Sequence, residues 1–160
     1  LIPIAWGGAP IDKIKKGTAT YADGIKKAAF AAKGGVIKGV LWHQGESDTV
    51  SIERAAAYEG KLHKLIRDLR IDLKSPQLPF VVGNLAEFYG TGKDHSAPQR
   101  VKQIDQVRAA FRELPIKVEA TAFAESTGCK SHDHHQVHFD RDSYVILGKN
   151  YAKALAKTKK

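Results

Sequence analysis

The sequence predicts an α/β protein, a parallel sheet covered by helices, on three observations. Short apolar runs rich in β-branched and aromatic residues recur along the chain. Segments with apolar residues at helical spacing separate them, and strands alternating with helices mean β/α units, hence parallel pairing. Polar side chains crowd where one run ends, which is where open α/β sheets hold ligands. There are no repeats and no low-complexity linkers, so residues 1–160 read as one domain.

Leu1 to Ala5 reads as a strand, and an opening this strand-like predicts that residues are missing upstream. Gly7-Gly8-Ala9-Pro10 is a tight loop whose glycines let backbone approach a neighbour closely. Tyr21, Ile25, Ala28, Ala29 and Ala32 recur at helical spacing until Gly34-Gly35 stops the helix. The glycine-bounded run Val36 to Trp42 then suits a buried parallel strand. Directly after it, His43, Gln44, Glu46, Ser47 and Asp48 gather around Gly45. That cluster is either a site or a polar loop capping the next helix.

Ser51 is placed to cap a long helix, with Glu53 in its first turn and Leu62, Leu65, Ile66 and Leu69 as the buried stripe; Ser75-Pro76 ends it. Pro79 to Leu85 reads as a third strand, followed by a polar loop from Glu87 to Ser96. Val101, Ile104, Val107, Phe111 and Leu114 define another amphipathic helix, and the alternation from Ile116 to Phe123 reads as a fourth strand. A loop rich in histidine and aspartate, Glu125 to Asp142, leads to a last helix carrying Tyr144, Leu147, Tyr151, Ala152 and Leu155.

Composition narrows the function classes. Hydrophobic residues make up 42% and charged residues 27%, ordinary for a globular domain able to bury a core. No apolar run approaches the roughly 18 residues of a membrane span, and no signal peptide is visible. The single cysteine, Cys129, excludes an internal disulfide and leaves the compartment open. A net charge of +9 raises the question of nucleic acid, but the lysines lack the interleaved aromatics and arginines of such a surface and read as solvated helix faces.

Three loops are expected on one edge of the sheet: Gly7-Gly8, Gln44 to Asp48, and the loop with His132, Asp133, His134, His135 and His138. Glycine N–H groups and a glutamine amide suit a developing oxyanion, and a histidine beside an aspartate is a general-base arrangement. Ester hydrolysis is the leading chemistry. A different class is open as well, because His132, His134, His135 and His138 with Asp133 have the ligand chemistry for Zn²⁺ or a similar ion, although their spacing matches no standard helix-borne metal motif.

The run Leu41-Trp42-His43-Gln44-Gly45-Glu46-Ser47-Asp48, with Ile2-Pro3 before Gly7-Gly8 and His138-Phe139-Asp140 leading into Leu147-Gly148-Lys149-Asn150-Tyr151-Ala152, resembles the SGNH-type esterases of the sialate O-acetylesterase and carbohydrate esterase family 6 group. The resemblance covers nearly the whole chain. It implies a flavodoxin-like three-layer α/β/α fold and cofactor-free, metal-independent removal of acetyl groups from sugars such as acetylated xylan or O-acetylated sialic acid. A secreted or periplasmic location is the one it favours.

Residue by residue, Gln44 matches the family's side-chain oxyanion donor, and Gly8, or alternatively Gly7, the glycine whose N–H completes the oxyanion hole. His138 matches the catalytic base. Glu46 matches a residue that holds the site's hydrogen bonds, a helix N-terminal carboxylate being the alternative. The family's acid stands three residues before the histidine, where this chain has His135; Asp133, five before His138, is the candidate acid. His43, Trp42 and Tyr89 are candidates for the border of the sugar site, with a core position the alternative for Trp42.

The family's nucleophilic serine, in a Gly-Gln-Ser-Asn-like motif on the first strand, is absent from these residues. Ser47 does not replace it, because Gly45-Glu46-Ser47-Asp48-Thr49 lacks the second glycine of a nucleophile elbow. The expectation is therefore an N-terminally incomplete esterase domain or an inactive carbohydrate-binding homologue. The strand carrying the serine would lie between Leu1–Ala5 and Val36–Trp42, supplied by residues outside this sequence, by a partner chain, or replaced by a rearranged sheet.

Overall fold

The structure is a computed structural model that describes residues 1–91, 98–134 and 136–158. Its sheet contains β1 (Val40–Trp42), β2 (Phe80–Gly83) and β3 (Thr121–Ala124), ordered β1-β2-β3 with both pairs parallel. Four helices accompany them: α1 (Ala19–Ala31), α2 (Ile52–Asp72), α3 (Pro98–Lys117) and α4 (Arg141–Lys157). Short 3₁₀ turns occupy Ile11–Lys13 and Glu46–Val50.

Register separates the two faces. Trp42 pairs with Val82, and Trp42 Nε1 donates to the Tyr58 hydroxyl at 3.2 Å, so α2 covers the face carrying Phe80 and Val82. The other face carries Val81 and Gly83. A Cβ at Gly83 would collide with the Tyr151 hydroxyl, which places α4 against that face. Helices therefore cover both faces, and all four residues of β2 are buried, as expected of a central parallel strand.

The long helix begins as the sequence predicts, the Ser51 hydroxyl accepting from the Arg54 N–H. Its buried stripe is Ala55, Tyr58, Leu62, Leu65 and Ile66, and the Tyr58 ring meets Phe111 of α3 edge-on at 5.5 Å. Fully burying each such large apolar side chain contributes about 1.5–3 kcal/mol. Asp140 caps α4 by accepting from the Ser143 N–H.

Two predicted strands are corrected. Leu1–Ala5 forms no strand: Leu1, Ile2 and Ile4 are exposed, and Ile4 rests on α1 where a Cβ at Gly24 would lie 3.3 Å from it. A strand with no hydrogen-bonding neighbour has nothing to hold it extended. The run Ile116 to Phe123 divides between the end of α3 and β3, and Ile116 is exposed. Pro115 sits inside the helix near its end, and a left-handed residue, Ala120 at φ 52°, makes the turn into the strand. The start of the run is a helix end, while Thr121 to Phe123 is sheet as predicted.

The strand Val36–Trp42 shortens to its last three residues. Among the described residues, β1 pairs on one side only, and Leu41 is 47% exposed. The first glycine-rich loop and the polar cluster after β1 nonetheless come together.

Candidate active site

At the carboxyl end of β1 the chain turns through Gly45, held at φ 144°, a conformation that favours glycine. A side chain would be crowded there too, since a Cβ would lie 3.0 Å from both Phe111 and Val107. Beyond the turn, three hydrogen bonds fasten the Gly8 loop to the Gln44–Asp48 loop. Ser47 Oγ donates to the Gly8 carbonyl at 2.8 Å, Gln44 Nε2 donates to the Ala9 carbonyl at 3.1 Å, and the Ile11 N–H donates to Asp48 Oδ2 at 2.9 Å. Gly8 itself adopts φ 67°.

Gln44 is the centre of a buried network. Its Nε2 also donates to Asp48 Oδ2 at 2.6 Å, and its Oε1 accepts from the Tyr58 hydroxyl at 2.9 Å. Both amide protons are thus engaged within the protein, and donation to an oxyanion requires one of these bonds to be exchanged. Burial raises the Asp48 pKa, while the Gln44 and Ile11 hydrogen bonds oppose the rise. Asp48 Oδ1 is buried with no hydrogen-bond partner among the described residues.

His43 lies beside this network. The Tyr151 hydroxyl donates its one proton to the Trp42 carbonyl at 2.6 Å, so at the 3.1 Å contact between His43 Nδ1 and that hydroxyl the ring must be the donor. The proton therefore sits on Nδ1, and in the neutral ring Nε2 is an acceptor, 4.0 Å from Glu46 Oε1. Partial desolvation of its ring lowers the His43 pKa, with Glu46 opposing, although the residue keeps a solvent-facing side. Gly83 leaves the room for this meeting, because a Cβ there would lie 2.8 Å from His43 Nδ1. Glu46 opens the 3₁₀ turn after Gly45, so its contact with His43 and its place at a helical N-terminus coexist.

The histidine-rich loop forms a second group. Ser131 bridges antiparallel to Phe139, the His132 N–H donates to the His138 carbonyl at 3.1 Å, and Ser131 Oγ donates to the Asp133 carbonyl at 2.8 Å. His132 Nδ1 meets Asp133 Oδ2 at 3.0 Å, and the His132 and His138 rings are 6.2 Å apart, edge to face. Asp133, the candidate acid despite its departure from the family's spacing, thus engages His132 directly. His135 lies outside the described residues. Phe139 links the groups: its ring meets His43 at 5.5 Å, edge-on, next in sequence to His138.

Gly8, Gln44 and Glu46 therefore belong to one cluster, and Asp133 and His138 to the neighbouring one. Tyr89 does not border an open site, being 2% exposed with its hydroxyl donating to the Glu46 carbonyl and accepting from Arg100. Trp42 takes the core alternative, packed on Phe80. Sequence reasoning missed Tyr58 and Tyr151 as site residues. The available signal was a tyrosine on the inward stripe of a helix, since a buried hydroxyl demands a partner.

A parallel sheet with amide, glycine and histidine loops gathered at its strand ends is an α/β architecture with its candidate site where such sheets hold ligands. The chain belongs to the family described as carbohydrate esterase, sialic acid-specific acetylesterase, whose pattern matches residues 1–157. It is 33% identical over 155 residues to a probable carbohydrate esterase of Arabidopsis thaliana, covering 96% of this chain and 54% of that protein. The chain thus spans about half the length of this curated relative. The crystal structure of the Arabidopsis protein superposes with a TM-score of 0.81 at 31% identity, covering 97% of this chain and 59% of that one. A carbohydrate acetylesterase from Xanthomonas citri shares the fold, with a TM-score of 0.59 at 20% identity over 95% of this chain and 36% of that one.

Proposed function

We propose that this chain carries the oxyanion and base side of a serine-type carbohydrate O-acetylesterase, acting on acetylated saccharides such as acetylated xylan or O-acetylated sialic acid. The observation that supports it is the fastening of the Gly8 loop to Gln44–Asp48 at the carboxyl end of β1. In this reading the nucleophile is a serine outside these 160 residues, on a strand that pairs with the open side of β1. His138 takes the serine proton as the hydroxyl attacks the acetyl carbonyl and returns it to the leaving sugar oxygen. The Gly8 N–H and one Gln44 amide proton receive the oxyanion, the latter leaving its internal partner as the site fills. Asp133 acts as the acid of the pair and Glu46 holds the neighbouring His43.

Acetate release from acetylated xylan and from O-acetyl sialic acid by the full gene product tests this reading. Release from either, abolished in His138→Ala, supports it; release from neither replaces it with an inactive saccharide-binding homologue. Gln44→Ala should slow turnover by about 10² to 10³, the usual loss on removing one oxyanion donor. Near-normal turnover would remove Gln44 from the mechanism.

A further inference from the structure

The histidine-rich loop holds three potential ligands in one place. His132, Asp133 and His138 each offer a ligand atom, and these atoms lie within 4.8 Å of one another. From this geometry we infer that the loop is a binding site for a single borderline divalent cation, Zn²⁺ being the best match, held by the imidazoles of His132 and His138 and the carboxylate of Asp133.

Donor chemistry, geometry and preorganisation point the same way. Two imidazoles and a carboxylate are the donor set that suits Zn²⁺ better than the hard, all-oxygen cations. Ligand atoms around tetrahedral Zn²⁺ sit at about 2.0–2.2 Å from the metal, hence roughly 3.4 Å from one another, so side-chain rotations of about an ångström close the site. The backbone already opposes the two histidines through the His132 N–H to His138 carbonyl bond and the adjoining Ser131–Phe139 bridge. Ser131 Oγ, which donates to the Asp133 carbonyl, and Gln136 Nε2, which donates to the same carbonyl at 3.2 Å, hold the Asp133 backbone in place. Gln136 itself adopts φ 57°, a left-handed turn residue. Both histidines are exposed and Asp133 is partly so, which leaves a path for the ion and a fourth position for water. The site is distinct from the Gln44 network and uses residues of one short loop only.

Binding does not depend on the esterase reading. Its consequence does: an occupied site ties up the His138 lone pair, so the ion would act as an inhibitor where His138 is the base.

The test is calorimetric titration of this chain, prepared without a polyhistidine tag, with Zn²⁺ alone. One ion per chain is expected, with His132→Ala and Asp133→Asn each weakening binding at least about tenfold. His63→Ala, which removes the α2 histidine beside Glu59, should leave it unchanged. Labelling with diethyl pyrocarbonate, read by peptide mass spectrometry, gives a second readout independent of turnover: Zn²⁺ should protect His138, and His132→Ala should remove that protection. No saturable binding, equal loss in His63→Ala, or labelling of His138 that ignores Zn²⁺ would each overturn the inference.

Discussion

Tyr58 shows how one side chain can organise a site it does not enter. Its hydroxyl donates toward Gln44 Oε1 and accepts from Trp42 Nε1, so it joins the strand end, the amide and α2 in one buried contact. Burial also pushes its pKa well up, keeping the phenol protonated and able to donate. Tyr58→Phe leaves both partners unpaired in the interior and is expected to destabilise the fold by about 1–3 kcal/mol. Urea unfolding followed by tryptophan fluorescence measures this. A loss below about 0.5 kcal/mol would mean that the network relaxes around the missing oxygen. Asp48 completes the same arrangement from the other side, and among the described residues its buried Oδ1 has no donor.

Between elements, ion pairs clamp the segment before α1 to α2. Lys61 Nζ meets Asp12 Oδ2 at 2.6 Å, while Asp72 accepts from Lys16 at 2.6 Å and from the Tyr21 hydroxyl at 2.9 Å. Hydrogen bonds from Lys15 and then Lys61 hold the Asp12 carboxyl, and from Lys16 and then Tyr21 the Asp72 carboxyl, below their ordinary value of 3.8. A depressed folded pKa means that the unfolded chain binds more protons as pH falls, so this stabilisation is complete well above pH 3.8 and vanishes as pH drops through the folded values. Lowering the pH below 3.8 should therefore release the residues from Ile11 to Tyr21 before the sheet, seen as faster amide exchange there than in β2. Uniform loss of protection would contradict it. At the far end of α2, Arg70 donates to the carbonyls of Leu78, Glu119 and Ala120, tying together the entries to β2 and β3.

For the whole molecule, the open side of β1 is the feature with the largest consequence. Among the described residues nothing pairs with that edge, and an unpaired edge beside an exposed Leu41 is a template for another strand. The isolated chain is expected to self-associate as its concentration rises, and Leu41→Lys should reduce this, as measured by light scattering. A chain that remains monomeric at high concentration would show that the edge is protected by other means.

Much of the architecture was legible in the sequence because it follows from local patterning. The stripe of Leu62, Leu65 and Ile66, the Ser51 cap, the apolar run of β2 and the glycine at the strand end each reflect a period or a backbone preference encoded within a few residues. The Trp42-to-Asp48 run, read by resemblance, pointed to the family that the comparisons bear out. Where pattern misled, at Leu1–Ala5 and at Ile116–Lys117, the deciding factor lay elsewhere: a strand exists only when a neighbour takes its hydrogen bonds, and a helix end can share a strand's alternation over a few residues. The candidate site divides the same way. Its residue types were visible, but the bond from the Gln44 amide to the Ala9 carbonyl and the Nδ1 proton of His43 depend on contacts between residues 35 to 109 positions apart in the chain. Sequence determined which chemistry the strand ends could carry; tertiary packing alone decided which donor meets which acceptor, because a hydrogen bond is set by distance in space and not along the chain.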